Sequence, residues 1–230
     1  IHKVAKDGGV ALGITDLMNV FGGLRFYTHA QAAGLKPVMG CDIKVKNSGF
    51  PDNPYRMALL CMNHTGYHSL CELLTRAFLS KDDEYRGQIE EVWFDEEGAT
   101  EGLILLTGGP DGRLGRLISL GMEKTGPAEL AQWAERFPGR LYVELQRAGR
   151  PNDESIVRFL ANLAAEAKLP VVATHPIQFL KKEDFEAHEV RCCIAEGYTL
   201  SDPRREKRYS AEQYLKSEEE MCALFADIPS

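Results

Sequence analysis

Short apolar runs alternate with amphipathic stretches from residue 10 to residue 196, and this alternation constrains the fold most strongly. Strands are predicted at residues 10–15, 36–45, 56–62, 102–107, 141–145 and 170–174. Helices are predicted at residues 22–33, 67–79, 127–137, 152–168 and 182–196. Strands that alternate with helices indicate βαβ units, a largely parallel sheet and an α/β fold. At least six such strands favour a closed or nearly closed barrel over a small open sheet.

Composition and charge narrow the class of protein. Of the 230 residues, 44% are apolar and 27% are charged, which is typical of a soluble globular protein, and no apolar run is long enough to cross a bilayer. The formal charge of −7 argues against this segment being the main nucleic-acid-binding surface. The one dense basic run, Arg204-Arg205-Glu206-Lys207-Arg208, is more typical of a solvated loop. Six cysteines without a Cys-x-x-Cys pair indicate reduced thiols and a cytoplasmic protein.

Four residues stand at or just past the ends of predicted strands, namely Asp16, Asp42, Gly108 and His175. In barrels, functional groups gather at the carboxyl ends of the strands. A carboxylate there can bind a divalent metal or activate water, but it can equally cap the following turn. His175 precedes a proline, where a histidine is more often a hydrogen-bonded turn residue than a ligand. His188 lies inside a predicted helix, where a buried structural role is expected.

Two aspartates and one histidine are few ligands for a metal-dependent hydrolase. A catalytic zinc site takes three protein ligands plus water, and a multi-metal phosphoesterase centre takes more. The sequence has no His-x-His, no Glu-x-x-His, no Gly-x-x-x-x-Gly-Lys loop and no Gly-x-Ser-x-Gly motif. The residues alone therefore leave both a degenerate and a working site open.

Three stretches carry a family resemblance: Leu12-Gly-Ile-Thr-Asp-Leu-Met-Asn-Val-Phe-Gly-Gly-Leu-Arg-Phe-Tyr27, Gly34-Leu-Lys-Pro-Val-Met-Gly-Cys-Asp42 and Asn63-His-Thr-Gly-Tyr-His-Ser-Leu70. In this order they resemble the PHP domain of bacterial DNA polymerase III α subunits, most nearly those of proteobacteria. Residues 102–109, 169–174, 185–190 and 217–221 extend the likeness along the whole chain.

The resemblance implies a distorted seven-stranded (β/α) PHP barrel, similar to a TIM barrel. Its first strand is expected to be missing from this chain, because residues 1–6 read as a helix already in progress. Residues 1–200 are expected to form the PHP domain. Residues 201–230 are expected to form its C-terminal part and a link towards the polymerase palm domain.

In active members of the family the barrel mouth holds a multi-metal site that hydrolyses phosphoesters. Carried over residue by residue, that site survives here only at Asp16, Asp42 and His175 as vestigial positions. Its other positions read Leu17, Arg56, Gly109, Pro176 and Gln178. A guanidinium where cations should bind would repel them strongly. The resemblance thus implies no catalytic residue, no bound metal and no cofactor in this domain; the alternative is an active metal-dependent phosphoesterase or 3′→5′ exonuclease.

The resemblance also implies partners. The parent protein would be a DNA-directed DNA polymerase whose Mg²⁺ ions bind in the palm domain, outside this chain. Within it, the PHP domain would stabilise the polymerase and dock the proofreading exonuclease subunit, ε. DNA would be contacted through the parent protein, and no membrane contact is expected.

Overall fold

The computed structural model describes residues 1–47 and 52–228 and contains a six-stranded sheet flanked by helices. The strands are β1 (Ala11–Leu17), β2 (Lys36–Val45), β3 (Tyr55–Cys61), β4 (Leu103–Leu106), β5 (Leu141–Gln146) and β6 (Val171–Thr174). The helices are α1 (His2–Lys6), α2 (Gly23–Ala32), α3 (His64–Leu79), α4 (Arg113–Leu120), α5 (Gly126–Arg136), α6 (Asp153–Ala167), α7 (Phe185–Glu196) and α8 (Glu218–Leu224). All six predicted strands and all five predicted helices are confirmed, while α4 and α8 were not predicted.

The sheet is mixed, so the expectation of a largely parallel sheet is wrong around β3. The strands lie in the order β1-β2-β3-β4-β5-β6. The pairs β1–β2, β4–β5 and β5–β6 are parallel, and β3 is antiparallel to both of its neighbours. Only residues 46–54 connect β2 to β3. A parallel crossover needs a dozen or more residues, so this short connection forces the chain to reverse.

The sheet curls into a half-barrel that is not closed on itself. Within the part of the chain that the structure describes, β1 pairs only with β2 and β6 only with β5. Most residues of these two edge strands are exposed or half-buried. The fold is thus a distorted, open barrel of six strands, as the resemblance led us to expect, and residues 1–47 and 52–228 do not supply a seventh.

One face of the sheet packs on the helices and forms the hydrophobic core. On β2, the fully buried side chains of Cys41, Ile43 and Val45 alternate with the half-buried Asp42 and Lys44. The other central strands also contribute alternate apolar residues to this face, which meets a core of leucines, Trp133 and Phe137 from the helical layer. The polar residues between them must face the concave side of the curl, because successive side chains of a strand point to opposite faces.

The residues after α7 pack back onto the barrel. We call residues 209–217 the strap. The Gln178 amide donates to the Gln213 carbonyl (2.8 Å), and the Leu215 amide donates to the Phe179 carbonyl (3.0 Å). The buried Gln213 side chain also donates to the carbonyl of Pro176 (3.0 Å). The strap therefore runs beside the segment that follows β6, and residues 201–228 are part of the folded body; residues 229–230 of the predicted 201–230 segment lie outside the described residues.

The basic run at 204–208 is not simply a solvated loop. Arg204 and Arg208 are exposed and pair with Asp202 and Glu206, each at 2.7 Å. Arg205 differs, because its side chain is only 8% exposed and donates to the buried carboxylate of Glu189 on α7. The prediction of a solvated loop is therefore wrong for Arg205, which anchors this segment instead of facing water.

Candidate functional site

Five polar side chains gather on the concave face of the sheet. We call them the mouth cluster: Asp42 on β2, Arg56 on β3, Glu144 and Gln146 on β5, and Thr174 at the end of β6. Strand pairing sets their positions, since Asp42 lies opposite Ala58 and Gln146 lies opposite Thr174. Side-chain contacts within the cluster link β2 to β3 and β5 to β6.

Asp42 and Arg56 form an ion pair. The Arg56 Nη2 donates to Asp42 Oδ2, and both side chains are about two-thirds buried. Burial raises the pKa of the Asp42 carboxyl to about 6, although the charge of Arg56 acts in the opposite direction. Glu144 adds to the rise because its negative charge is close. At neutral pH the carboxylate is therefore mainly ionised, and the guanidinium of Arg56 balances its charge.

Glu144 is the most fully buried member of the cluster, and protein donors satisfy its carboxylate. Oε2 accepts from the Gly108 amide (2.9 Å), and Oε1 accepts from the Thr174 hydroxyl (2.5 Å) and from Gln146 Nε2 (2.9 Å). A buried carboxylate is costly unless it is hydrogen-bonded in this way. Sequence reasoning missed Glu144 and Gln146; the signal was two polar residues at alternate positions in an otherwise apolar strand.

Arg150 closes the rim beside the cluster. Its Nη2 donates to Gln146 Oε1 (2.9 Å), and its Nη1 lies 3.6 Å from the carboxylate of Asp111. Its Nε donates to Asp153 at the start of α6 (3.3 Å). A second guanidinium thus holds the β5 end of the mouth.

The turn after β4 leaves little room for a ligand side chain. Gly108 has φ +83°, and a Cβ built on it would lie 1.7 Å from the Arg56 carbonyl oxygen. Gly109, which the resemblance led us to expect in place of a ligand, has φ +50°, and a Cβ there would lie 3.1 Å from the Gln146 side chain. Only glycine adopts these conformations readily, so the turn is shaped for close packing.

Asp16 does not face the mouth. The structure places it inside β1, one residue before the strand ends, although the sequence put it just past a strand. It lies opposite Cys41, whose side chain points into the core, whereas Leu17 lies opposite Asp42. Because partners in register share a face of the sheet, Leu17 and not Asp16 borders the mouth cluster.

His175 stands just past the end of β6, as predicted, but the strap binds it. Its Nε2 is 2.7 Å from the Glu212 carbonyl oxygen, to which it donates. Burial lowers the pKa of His175 below its ordinary value, which keeps the ring neutral. The next replaced positions, Pro176 and Gln178, bind Gln213 of the same strap. Of the three vestigial positions, the structure therefore brings only Asp42 into the mouth cluster.

The donors at the mouth do not fit a multi-metal centre. Such a centre needs several histidines and carboxylates with free lone pairs. Here Asp42 is held by Arg56, and Glu144 accepts three hydrogen bonds from the protein. The arrangement can hold strand ends together by hydrogen bonds and an ion pair. Among the described residues of the mouth, it offers a cation no open set of ligands.

Comparison with known proteins agrees with this fold. The family model described as "PHP domain" matches residues 1–148. This chain belongs to the PHP-domain family. The domain is 41% identical over 229 residues to the DNA polymerase III subunit alpha of Vibrio cholerae, 43% over 230 residues to that of Pseudomonas fluorescens, and 44% over 227 residues to that of Pseudomonas aeruginosa. These alignments cover 98–100% of the chain, which confirms the resemblance noted in its sequence.

The PHP domain spans about a fifth of the length of these relatives, since the alignments cover 19–20% of them. A solved structure from Bifidobacterium adolescentis, provisionally named a metal-dependent phosphoesterase, shares 15% identity with a TM-score of 0.45, covering 75% of this chain and 79% of that one. Across residues 1–47 and 52–228, no helix is long and apolar enough to cross a membrane.

Proposed function

We propose that this PHP domain is part of the α subunit of a bacterial replicative DNA polymerase III. Identity of 41–44% to three such subunits along the whole chain supports this assignment. The domain then acts in DNA replication, in the cytoplasm, within a DNA-directed DNA polymerase that contacts DNA through its other domains. Polymerisation and its Mg²⁺ ions belong to a palm domain outside these 230 residues.

We propose that the domain itself hydrolyses no phosphoester. The observation that carries this proposal is the ion pair between Arg56 and Asp42 in the mouth. A divalent cation would have to displace this guanidinium, whose charge would repel it at short range, and the mouth cluster holds no histidine or thiol that could supply its other ligands. A structural role for the mouth follows, in which polar contacts hold the strand ends together.

The test is an assay for metal-dependent cleavage. The purified protein is incubated with a 3′-labelled single strand and with Mn²⁺ or Zn²⁺, and released nucleotides are measured. We expect wild type and Asp42→Asn to release the same background amount. Cleavage that needs the metal and is lost in Asp42→Asn would instead support the alternative, an active 3′→5′ exonuclease.

We propose that the domain also docks the proofreading exonuclease subunit, ε. A docking surface needs accessible apolar side chains, and Phe21, two residues before α2, and Leu24, in its first turn, are 93% and 81% exposed. Tyr27, 41% exposed, follows Leu24 three residues later on the same face of α2. We call these three residues the α2 patch and propose it as the docking surface.

A pull-down with purified ε tests this proposal. Wild type should retain ε, and Phe21→Asp with Leu24→Asp should weaken retention at least tenfold by placing charges in the interface. Phe78→Asp, an equally drastic change at a 51% exposed phenylalanine near the end of α3, is the matched control and should bind as wild type does. Wild type that retains no ε would refute the docking role, and equal retention by all variants would refute the α2 patch.

A further inference from the structure

A second group of potential ligands lies on α7, outside the mouth cluster. It consists of His188, Glu189 and Cys192, whose ligand atoms all lie within 4.8 Å of one another. His188 and Cys192 are four residues apart, so they stand one helical turn above each other on the same face. Cys192 is a free thiol, and Glu189 is almost fully buried. A nitrogen, a sulfur and an oxygen donor thus converge on one side of a helix.

The spacing of the sulfur and nitrogen donors is close to that of a tetrahedral zinc site. The Cys192 Sγ lies 3.8 Å from Nδ1 and 3.9 Å from Nε2 of His188. Bond lengths of about 2.3 Å to sulfur and about 2.0 Å to nitrogen place tetrahedral ligands roughly 3.5 Å apart. The sulfur–nitrogen distance therefore has to shorten by only a few tenths of an ångström, but the ring must also turn in place to point one nitrogen at the metal, because Sγ is almost equally far from both nitrogens. Cysteine, histidine and a carboxylate are also the donor types that zinc takes in proteins.

Aromatic rings restrict the histidine. The His188 ring meets Tyr209 edge-on at a centroid distance of 4.6 Å and packs against Phe179 at 5.5 Å. Its position is therefore fixed by packing from two sides, which lowers the entropy lost when a metal binds. His188, expected from the sequence to be a buried structural histidine, is half-buried and lies one turn from the half-buried thiol of Cys192.

Arg205 decides whether Glu189 is available. Its guanidinium donates to the Glu189 carboxylate, and the two side chains are only 8% and 7% exposed. A divalent cation at the same carboxylate would sit within a few ångströms of the guanidinium, where like charges repel strongly at low dielectric. Glu189 can therefore serve Arg205 or a metal, but not both.

We infer that His188, Glu189 and Cys192 form a zinc-binding site, with Arg205 as the internal cation that occupies Glu189 when zinc is absent. The fourth position of the metal is left to water. Zinc then releases Arg205 and loosens the segment of residues 201–208 from α7. This inference is independent of the inactivity proposed for the mouth, because the two sites share no residue.

Titration of the full chain with Co²⁺ tests the site, because tetrahedral cobalt bound to thiolate has an intense charge-transfer absorption that Zn²⁺ abolishes on displacement. We expect this band in wild type and at least a tenfold loss of affinity in Cys192→Ser and in His188→Ala. Cys222→Ser removes an exposed thiol on α8 and should leave the affinity unchanged. A missing band, or a band unaffected by Cys192→Ser, overturns the inference.

The role of Arg205 gives a second and less obvious test. Arg205→Gln removes the competing cation and should bind Co²⁺ at least tenfold more tightly than wild type, with a larger rise in Tm on adding Zn²⁺. Arg205→Lys keeps a positive charge beside Glu189 and should bind as wild type does, which also shows that the position tolerates substitution. Weaker binding in Arg205→Gln, measured on protein that is still folded at the assay temperature, contradicts the competition.

Discussion

The protonation of the Asp42 carboxyl is the most informative equilibrium in the mouth cluster. Its carboxyl is held away from water, which favours the neutral form, and it is held against Arg56, which favours the charged form. Burial outweighs the ion pair, so the pKa is about 6 instead of the ordinary 3.8. A carboxyl group whose pKa is raised in this way destabilises the folded protein when it is charged. The other contacts of the fold must offset that loss of stability.

The first prediction follows from the sign of this shift. Because the folded pKa lies above the unfolded one, the contribution of Asp42 to stability is full below pH 3.8 and is lost as the pH rises through about 6. Asp42→Asn lacks this dependence. Between pH 4 and pH 7 the stability of wild type relative to Asp42→Asn should fall, by at most about 3 kcal/mol. Urea unfolding of both proteins across this range measures it, and a difference that does not change with pH would contradict the pKa.

The second prediction concerns Glu144. Glu144→Gln replaces one acceptor oxygen by an NH₂ group that cannot accept from Gly108 or Thr174, so a buried donor is left unpaired. The variant should lose about 1–3 kcal/mol of unfolding free energy. Thr174→Val removes a single donor and should lose less. Chemical denaturation ranks the two variants, and a neutral Glu144→Gln would mean that the carboxylate does not cross-link the strands.

Single residues also show which parts of the site could be predicted from the sequence and which could not. Asp42 and Arg56 could be placed in the mouth because a family pattern located them, and the structure joins them. Asp16 was misplaced because the predicted strand ended two residues early, and in a strand the face of a side chain depends on its position along the pairing register. Glu144 could not be identified, since a buried carboxylate is recognised by its partners, and two of its three, Gly108 and Thr174, lie 30 or more residues away in sequence.

At the scale of elements, strand and helix positions followed from periodicity, but strand direction did not. The antiparallel β3 depends on the length of one connection, and a pattern of apolar residues carries no direction. The strap was not predicted either, because its residues are polar and its contacts are backbone hydrogen bonds to the segment after β6. Such contacts leave no periodic signal in the sequence.

The third prediction tests the strap. Gln213→Ala removes the side-chain bonds to the Pro176 carbonyl and from the Ser210 amide (both 3.0 Å). The strap should detach more often, and amide hydrogen exchange at Gln178 and Leu215 should accelerate at least tenfold, because local opening governs exchange. Lys207→Ala, outside the strap, is the control and should leave both amides protected. Unchanged protection in Gln213→Ala would show that the backbone pairing alone holds the strap.

The fourth prediction tests how α3 docks on the sheet. The Asn63 side chain caps the helix by accepting from the Gly66 amide (3.0 Å), and a Cβ on Gly66 would lie 1.9 Å from the Gly102 carbonyl oxygen. Gly66→Ala must therefore push α3 off the start of β4 and should cost at least about 2 kcal/mol. Gly13→Ala on β1 meets nothing closer than 3.8 Å and should be nearly neutral. Equal stability of the two variants in thermal unfolding would contradict this packing.

At the scale of the whole molecule, the two faces of the curled sheet have different tasks. The convex face buries the apolar core against the helices, while the concave face carries charged and polar side chains that bond to one another between neighbouring strands. This division lets the mouth be held by its own side chains. The mouth cluster joins neighbouring strand ends by hydrogen bonds and an ion pair.

Binding of Mn²⁺ at the mouth, followed by paramagnetic broadening of amide NMR signals, tests this account most directly. The Gly108 amide donates to Glu144 and would lie within a few ångströms of any metal held there. We predict that stoichiometric Mn²⁺ leaves the Gly108 signal as sharp as those of amides elsewhere in the sheet. Selective broadening of Gly108 at stoichiometric Mn²⁺, abolished by Asp42→Asn, would show that the mouth still holds a metal and would contradict the account.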